Sequence, residues 1–247
     1  MLKVGITGQT GFIGSHLAEF FRIQDDVETV PFIRDYFADS AGLENFVFRC
    51  DVIIHLAAMS RCPDGKLLYE TNTGLDKKLI AALKKSGSRA HVIFASTTHE
   101  NREGEYYASK RDGQKLFREW ADESGGKFTA MVMPNTFGPY GKPYFNSVVS
   151  TFCYKVARNE QPEIIVDAPV ELIYINSLCR EFYRVLKGEV NAAVYTPPAT
   201  ATKKVSEILN LLLEFRELYV ERGLIPGLKD EFEFALFNTF HSYIQHD

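Results

Sequence analysis

The chain has 247 residues, of which 45% are hydrophobic and 24% are charged, and its formal net charge at pH 7 is −4. This size and composition suit one large globular domain with a sizeable core. The scattered basic residues argue against a nucleic-acid partner, and no apolar run reaches the roughly 20 residues of a membrane span.

The four cysteines form no Cys-x-x-Cys pair, which favours free thiols in a reducing compartment. The first predicted strand begins at residue 2, so we expect no signal peptide and a cytoplasmic enzyme. We also expect no metal site, because the sequence has no His, Cys or carboxylate cluster with ligand spacing.

Apolar strands alternate with amphipathic helices through the first half of the chain. The predicted strands are 2–7, 27–33, 51–56, 90–95 and 128–133, and the predicted helices are 12–24, 40–48, 66–86 and 106–123. This alternation predicts an α/β fold, a Rossmann-type doubly wound parallel sheet.

The pattern loosens into Pro/Gly/Tyr-rich loops from residue 134 to residue 143. We then predict, in order, a helix at 146–159, a short strand at 163–166, a helix at 176–187 and amphipathic stretches at 203–219 and 230–245. We interpret 1–247 as a single domain, in which 1–133 mainly binds the cofactor and 134–247 forms mainly a small C-terminal substrate-binding lobe.

Glycines recur at three-residue intervals directly after the first predicted strand. The spacing allows a tight turn, close approach of the backbone to a pyrophosphate, and close packing of helix on strand. The following helix offers free N–H groups and a partial positive charge. An ordinary strand–turn–helix is the alternative, but a place on the first strand of an α/β pattern favours a dinucleotide site. The predicted contacts are Gly8, Thr10, Gly11, Phe12, Ile13 and Gly14.

Arg34 ends the second predicted strand. An acidic residue there would bind the ribose 2′-hydroxyl of NAD, whereas an arginine suits the 2′-phosphate of NADP. Asp35 follows immediately, and a shift of one residue in the strand end would reverse the inference. We predict NADP(H) as the cofactor.

Tyr106 and Lys110 are four residues apart on a predicted helix and project from the same face. A nearby ammonium lowers a tyrosine pKa, which suits a phenol that gives or takes a proton during carbonyl/alcohol interconversion. Ser96 and Thr97 lie at the end of the strand before this helix. Their hydroxyls can hold a substrate oxygen beside the tyrosine, or simply cap the next element.

Cationic and amide side chains elsewhere could bind phosphate and other polar groups of a ligand. Arg61 lies on a loop at the same carboxyl edge of the sheet, and Asn146, Lys155 and Arg158 lie on the predicted lobe helix. A solvated helix face explains Lys155 equally well.

These motifs together resemble the extended short-chain dehydrogenase/reductase family over roughly residues 1–190. The likeness rests on residues 7–14, on His55-Leu56-Ala57-Ala58, on Asn72, on Ser96-Thr97, on Tyr106-x-x-x-Lys110 and on residues 134–139.

The resemblance implies roles for individual residues. Tyr106 would be the acid/base, Lys110 would hold the nicotinamide ribose and lower the tyrosine pKa, and Thr97, helped by Ser96, would orient the substrate. Cofactor contacts would include Leu56, Ala57 and Ala58, and Asn135 lies in the segment that closes the sugar-nucleotide site. Helices 66–86 and 106–123 would form a homodimer contact.

A narrower likeness lies in residues 146–160, which are similar to the reductase half of bifunctional capsular polysaccharide enzymes making UDP-N-acetyl-L-fucosamine. It implies NADPH-dependent reduction of the C4 ketone of a UDP-4-keto-6-deoxy-N-acetylhexosamine. Those proteins carry a metal-binding cupin half downstream, which would begin about where this chain ends, so the chain is either a stand-alone reductase or part of a longer protein. Two positions depart from the family pattern. Where the family usually has Tyr-x-Asp-Asp, this chain has Asn176 in place of the first aspartate. Met133 stands where an arginine often precedes Pro-Asn.

Three other functions remain as alternatives. An NAD-dependent epimerase uses the same residues but returns the hydride, and Arg34 counts against it. A 4,6-dehydratase usually has an Asp-Glu pair after the catalytic threonine, where this chain has Thr98-His99. A non-catalytic NADP-binding sensor typically lacks the Tyr/Lys pair that is present here.

Overall fold

The computed structural model describes residues 1–245, which form two compact units. The first unit comprises residues 1–133 and 181–197, and the second comprises 134–180 and the chain from Pro198 onwards. Residues 181–197, which the sequence assigns to the C-terminal lobe, belong to the first unit in the structure. The reason is a short strand within it that pairs with the main sheet.

The elements follow one another along the chain in this order: β1 (Leu2–Thr7), α1 (Phe12–Arg22), β2 (Val27–Val30), α2 (Ser40–Phe48), β3 (Val52–His55), α3 (Gly65–Ser86), β4 (His91–Thr97), α4 (Glu105–Ser124), β5 (Lys127–Met133), β6 (Asn135–Phe137), α5 (Val148–Ala157), β7 (Pro169–Tyr174), α6 (Ile175–Leu186), β8 (Val194–Tyr195), β9 (Ala201–Lys204), α7 (Val205–Phe215) and α8 (Glu231–His241). A 3₁₀ turn at Arg34–Phe37 precedes α2, and a π-helical segment at Arg216–Glu221 follows α7.

Six strands form the sheet of the first unit, in the order β2-β1-β3-β4-β5-β8, and every neighbouring pair is parallel. All four residues of β3 are buried, which is why it reads as an apolar run. A core cluster packs α2, α3 and α4 against the sheet through Phe46, Leu79 and Phe117. The Rossmann-type parallel sheet predicted from the sequence is confirmed.

The second unit has its own three-stranded sheet in the order β6-β7-β9, in which β7 runs parallel to β6 and antiparallel to β9. Its core gathers apolar side chains from α5, α7 and α8, with Phe152, Leu212 and Leu236 buried among them. The predicted strand at 163–166 is wrong, because these residues pair with no strand and Ile165 is 89% exposed. The strand begins instead at Pro169.

Two predicted element ends also need correction. Strand β2 stops at Val30 rather than 33, since Pro31 has no N–H for a ladder. Arg34 therefore opens the 3₁₀ turn instead of ending the strand. Helix α5 begins at Val148 because the Ser147 side chain accepts the N–H of Ser150, and Asn146 consequently precedes the helix.

Within residues 1–245, no helix has both the length and the apolar character needed to cross a bilayer.

Candidate active site

The turn between β1 and α1 holds three backbone segments in close contact. Gly8 has a φ of +76°, and a Cβ built there would lie 2.9 Å from the Ala57 nitrogen. A Cβ on Gly14 would lie 2.3 Å from the Gly8 oxygen. Any side chain at either glycine would therefore fill the turn and push its backbone segments apart.

Helix α1 leaves this turn without a side-chain cap from any described residue. Its cap residue is Gly11, and within residues 1–245 no acidic residue lies in its first turn. The partial positive charge at the helix start is thus not offset locally. The cradle fits the pyrophosphate of a dinucleotide, as the glycine spacing predicts.

The segment after β3 is fixed beside the end of β1. The Leu56 N–H donates to the Thr7 carbonyl at 3.2 Å, and the Ala57 N–H donates to Thr7 Oγ1 at 3.3 Å. Asn72 of α3 holds the next turn by accepting from the Met59 N–H at 2.6 Å and donating to its carbonyl at 3.0 Å. This places Leu56, Ala57 and Ala58 at the edge of the sheet where the strands end.

Tyr106 and Lys110 lie one turn apart in α4, as predicted. Lys110 is only 5% exposed, and its Nζ lies 4.9 Å from the Phe94 ring centroid and 5.8 Å from that of Tyr106. Burial lowers the pKa of Lys110 to about 8, an effect that Asp76 opposes. The Nζ therefore lies between two aromatic rings in a position shielded from solvent.

Burial raises the pKa of Tyr106, and Tyr107 adds to the effect. The sequence predicts that Lys110 lowers the pKa of Tyr106, and the structure gives the opposite net direction. The reason is desolvation, which disfavours the phenolate in a partly buried site.

Thr97 and Ser96, at the end of β4, differ in what their hydroxyls do. Thr97 Oγ1 accepts the His99 N–H at 3.2 Å, and a hydroxyl that accepts one hydrogen bond still has its own hydrogen to donate. Ser96 is 2% exposed; it donates to Glu100 Oε2 at 2.7 Å and accepts from Gln114 Nε2 at 2.9 Å. The Ser96 hydroxyl thus connects Glu100 and Gln114, and its contact with substrate stays a prediction.

Residues 98–104, which join β4 to α4, are tied back to that helix. Arg111 of α4 donates to the carbonyl oxygen of Glu100 and, at 3.3 Å, to that of Arg102. The end of β4 and the start of α4 are thereby held in fixed relation. Glu100, Arg111 and Gln114 were not predicted from the sequence. The family motif includes the reacting side chains but not the side chains that hold the loop.

Arg34 and Arg61 are both exposed. Arg34 lies in the turn after β2, which is fixed by Phe32 packing edge-on against Tyr36, with ring centroids 5.7 Å apart. Arg61 lies on the loop between β3 and α3. Because β2 and β3 run parallel to β1, both arginines follow the strand ends at which the glycine turn lies.

The other predicted substrate contacts belong to the second unit. Asn135 Nδ2 donates to the Glu171 carbonyl at 3.1 Å. Asn146 is exposed just before α5. The Arg158 guanidinium lies over the Tyr154 ring at 3.7 Å from its centroid, at the end of the same helix.

A buried polar pair was not anticipated. His55 Nε2 lies 2.9 Å from Asp76 Oδ1, and the two side chains are 1% and 5% exposed. Asp76 lies four residues after Asn72 on the inward face of α3, so an acidic residue on an otherwise buried face was the available signal. In the part of the chain that the structure describes, no three His, Cys, Asp or Glu side chains are grouped as metal ligands.

The chain is similar to known proteins. The model of the NAD-dependent epimerase/dehydratase family matches residues 4–195. A UDP-2-acetamido-2,6-β-L-arabino-hexul-4-ose reductase from Pseudomonas aeruginosa is 27% identical over 251 aligned positions, which cover 100% of this chain and 66% of that protein.

Solved structures extend the comparison. The capsular polysaccharide assembling protein CapF from Staphylococcus aureus superimposes with a TM-score of 0.83 at 28% identity, over 99% of this chain and 65% of CapF. RMD from Pseudomonas aeruginosa, complexed with NADPH, gives a TM-score of 0.84 at 18% identity, over 98% and 99% of the two chains. The RMD likeness shows the fold alone. The chain spans just under two thirds of the length of the reductase and of CapF.

Proposed function

The chain belongs to the NAD-dependent epimerase/dehydratase family, and from that premise we propose that it reduces a 4-keto nucleotide sugar with NADPH. The substrate we propose is a UDP-4-keto-6-deoxy-N-acetylhexosamine, and the setting is surface polysaccharide biosynthesis. One observation carries the proposal: Tyr106 precedes the buried Lys110 by one turn, with Nζ 5.8 Å from the phenol ring centroid. The similarity to a hexulose reductase over the whole chain supports the same reaction.

The proposed chemistry adds a hydride to the ketone carbon and a proton to its oxygen. Bound NADPH supplies the hydride. Thr97 donates a hydrogen bond to the carbonyl oxygen and holds it in place. Tyr106 gives its phenolic proton to that oxygen, and the resulting phenolate takes a proton back from solvent.

Lys110 makes the proton transfer feasible at neutral pH. Since burial alone raises the pKa of Tyr106, the phenolate left after proton transfer needs a nearby positive charge. The Lys110 ammonium is the cation that the same helix places beside the ring. We propose that Lys110 also holds the nicotinamide ribose.

The proposed cofactor contacts lie in the first unit. Any Cβ at Gly8 or Gly14 would fill the cradle that we assign to the pyrophosphate. The full proposed set is Gly8, Thr10, Gly11, Phe12, Ile13, Gly14, Arg34, Leu56, Ala57, Ala58 and Lys110. Arg34 is the basis for preferring NADPH over NADH.

We assign binding of the UDP part of the substrate to the exposed Arg61 and Asn146 and to the half-buried Asn135 and Arg158. Asn146 gives the sharpest test, because it is exposed outside α5 and its truncation leaves the Ser147 cap intact. Asn146→Ala should raise KM for the UDP-sugar and leave the Kd for NADPH unchanged. An unchanged KM would remove Asn146 from the substrate site.

We also propose a cytoplasmic homodimer in which α3 and α4 form the contact, since two-fold dimers are the commonest closed assemblies. Light scattering at micromolar concentration tests the assembly. A monomer in that measurement would contradict it.

The function is tested by giving the purified protein UDP-2-acetamido-2,6-dideoxy-hexos-4-ulose, NADPH and EDTA. We expect NADPH oxidation and a C4 alcohol, with its configuration read by NMR. EDTA tests the prediction that no metal takes part. An epimerised or dehydrated sugar without NADPH oxidation would replace the reductase assignment with the epimerase or dehydratase alternative.

A further inference from the structure

Three hydrogen bonds, two of them buried, connect the segment after β3 to a carboxylate in α3. The Ala57 N–H donates to Thr7 Oγ1 at 3.3 Å, Thr7 Oγ1 lies 2.7 Å from His55 Nδ1, and His55 Nε2 lies 2.9 Å from Asp76 Oδ1. Thr7, His55 and Asp76 are each at most 3% exposed. Buried polar groups that are this fully paired act as a unit.

Only one arrangement of hydrogens satisfies every member when Asp76 is ionised. A carboxylate can only accept, so His55 Nε2 must carry the hydrogen. His55 Nδ1 then accepts from the Thr7 hydroxyl, and the Thr7 oxygen accepts from Ala57. In this arrangement, with a singly protonated ring, all three donors point toward Asp76.

The second oxygen of Asp76 faces helix α4. A Cβ built on Gly113 would lie 2.6 Å from Asp76 Oδ2 and 2.7 Å from the Phe94 ring. The missing side chain therefore makes room for the carboxylate. Lys110 lies three residues before Gly113, which places both on one face of α4.

The buried carboxylate on the Lys110 face of α4 is Asp76, whose Oδ2 lies beside Gly113. Among the described residues Lys110 has no ion pair within 4.0 Å, so Asp76 acts on it over a longer distance. The Phe94 ring of β4 and the Tyr106 ring of its own helix lie beside Nζ, and His55 of β3 is the titratable partner of Asp76. Asp76 is also the charge that opposes the lowering of the Lys110 pKa.

We propose that Asp76, held by His55 and Thr7, is a positioning residue that supplies the counter-charge for the Lys110 ammonium. Its significance for reduction rests on the proposed function, in which Lys110 binds the cofactor and stabilises the phenolate. The chain of hydrogen bonds begins at Ala57, in the segment assigned to cofactor contact. The charge on Lys110 is thereby coupled to the backbone around the cofactor.

The test follows the titration of Lys110 in the protein without ligands. Protein labelled with ¹³C at the lysine ε carbon is titrated by NMR, and the Lys110 signal is assigned by its loss in Lys110→Met. Asp76→Asn keeps an oxygen to accept from His55 but removes the charge, and the Lys110 midpoint should fall by about one pH unit or more. The pH above which NADPH affinity declines should fall by the same amount.

Asp112→Asn is the matched control. Asp112 lies on the same helix, and its carboxylate accepts from the Tyr69 hydroxyl of α3 at 2.5 Å, so the variant removes one carboxylate charge between the same two helices. Its Lys110 midpoint should equal that of the unmodified protein. An Asp76→Asn midpoint that is unchanged, or that shifts no more than that of Asp112→Asn, overturns the proposal.

A measurement on the unmodified protein keeps the proposal testable where Asp76→Asn fails to fold. Long-range ¹H–¹⁵N spectra should show His55 neutral, with the hydrogen on Nε2. A hydrogen on Nδ1 alone would mean that Asp76 is protonated and uncharged. A doubly protonated ring would neutralise the charge of Asp76. Either result overturns the proposal. Neither experiment uses the ketone, so a failed reduction assay with a shifted Lys110 midpoint would reject the reaction and retain the role of Asp76.

Discussion

Replacing Lys110 with methionine should make the protein without cofactor more stable and also inactive. Burial holds the pKa of Lys110 at about 8, against an ordinary 10.5. At about 1.4 kcal/mol per pKa unit, the buried ammonium costs the folded state about 3 kcal/mol at pH 7. Methionine fills similar space without that charge, so the free energy of unfolding should rise by up to about 3 kcal/mol, while turnover and NADPH affinity are lost.

The stability difference between Lys110→Met and the unmodified protein should decrease as the pH rises. Between pH 8 and pH 10.5 the unfolded chain keeps the lysine proton and the folded protein releases it, so the unmodified protein gains stability relative to the variant as the pH rises. The advantage of Lys110→Met should shrink to about 1 kcal/mol at pH 10.

Urea unfolding of both proteins at pH 7 and pH 10 measures this difference. Lys115→Met is the control, because Lys115 lies in the same helix with its side chain 75% exposed and should change stability little at either pH. A destabilised Lys110→Met protein, or a gain in stability that does not depend on pH, would refute the reasoning.

Three further substitutions test separate parts of the account. Tyr106→Phe removes only the proton donor, so turnover should be lost while the fold and NADPH binding stay nearly intact; retained activity would assign the acid to another group. Arg34→Asp should weaken NADPH binding by about 1–3 kcal/mol more than NADH binding, as expected for one charged hydrogen bond, and equal affinities in the unmodified protein would contradict the NADPH preference. Burial lowers the pKa of His91 to about 4 from 6.5, so stability should fall by about 3 kcal/mol as the pH drops from 6.5 to 4. His91→Gln should lack this acid dependence in urea unfolding, and an equal dependence in both proteins would show that His91 is not its source.

The parts of the fold that the sequence predicted correctly depend on local periodicity. The glycines after β1 and the Tyr106–Lys110 pair are separated by three or four residues, and such spacings translate directly into one turn or one helix face. The boundaries of α2 and of β1 were predicted exactly as the structure has them. These features required no knowledge of distant neighbours.

The wrong predictions concern features that depend on contacts between residues far apart in the sequence. Ile164, Ile165 and Val166 have strand-like composition but no partner strand, whereas β7 forms at 169–174 because it pairs with both β6 and β9. Strand formation depends on such pairing more than on composition. The predicted dependence of Tyr106 on Lys110 missed the cost of burial, which only the folded structure reveals.

Two site residues illustrate the same limit. Ser96 stands in the motif position of a substrate hydroxyl, and the sequence did not indicate its hydrogen bonds to Glu100 and Gln114. Asp76 is one acidic residue among many in the sequence, and only the packing of α3 against β3 and α4 shows that it is buried beside His55. Residues that hold reacting groups are specified by tertiary contacts.

Transfer of deuterium tests the central claim most directly. The protein is incubated with UDP-2-acetamido-2,6-dideoxy-hexos-4-ulose and NADPH carrying deuterium at the transferable position, with Tyr106→Phe in parallel. We predict one deuterium on C4 of the product alcohol for each NADPH consumed, and none with Tyr106→Phe. An isomerised or dehydrated sugar without deuterium, formed while NADPH stays intact, would contradict the assignment as a reductase.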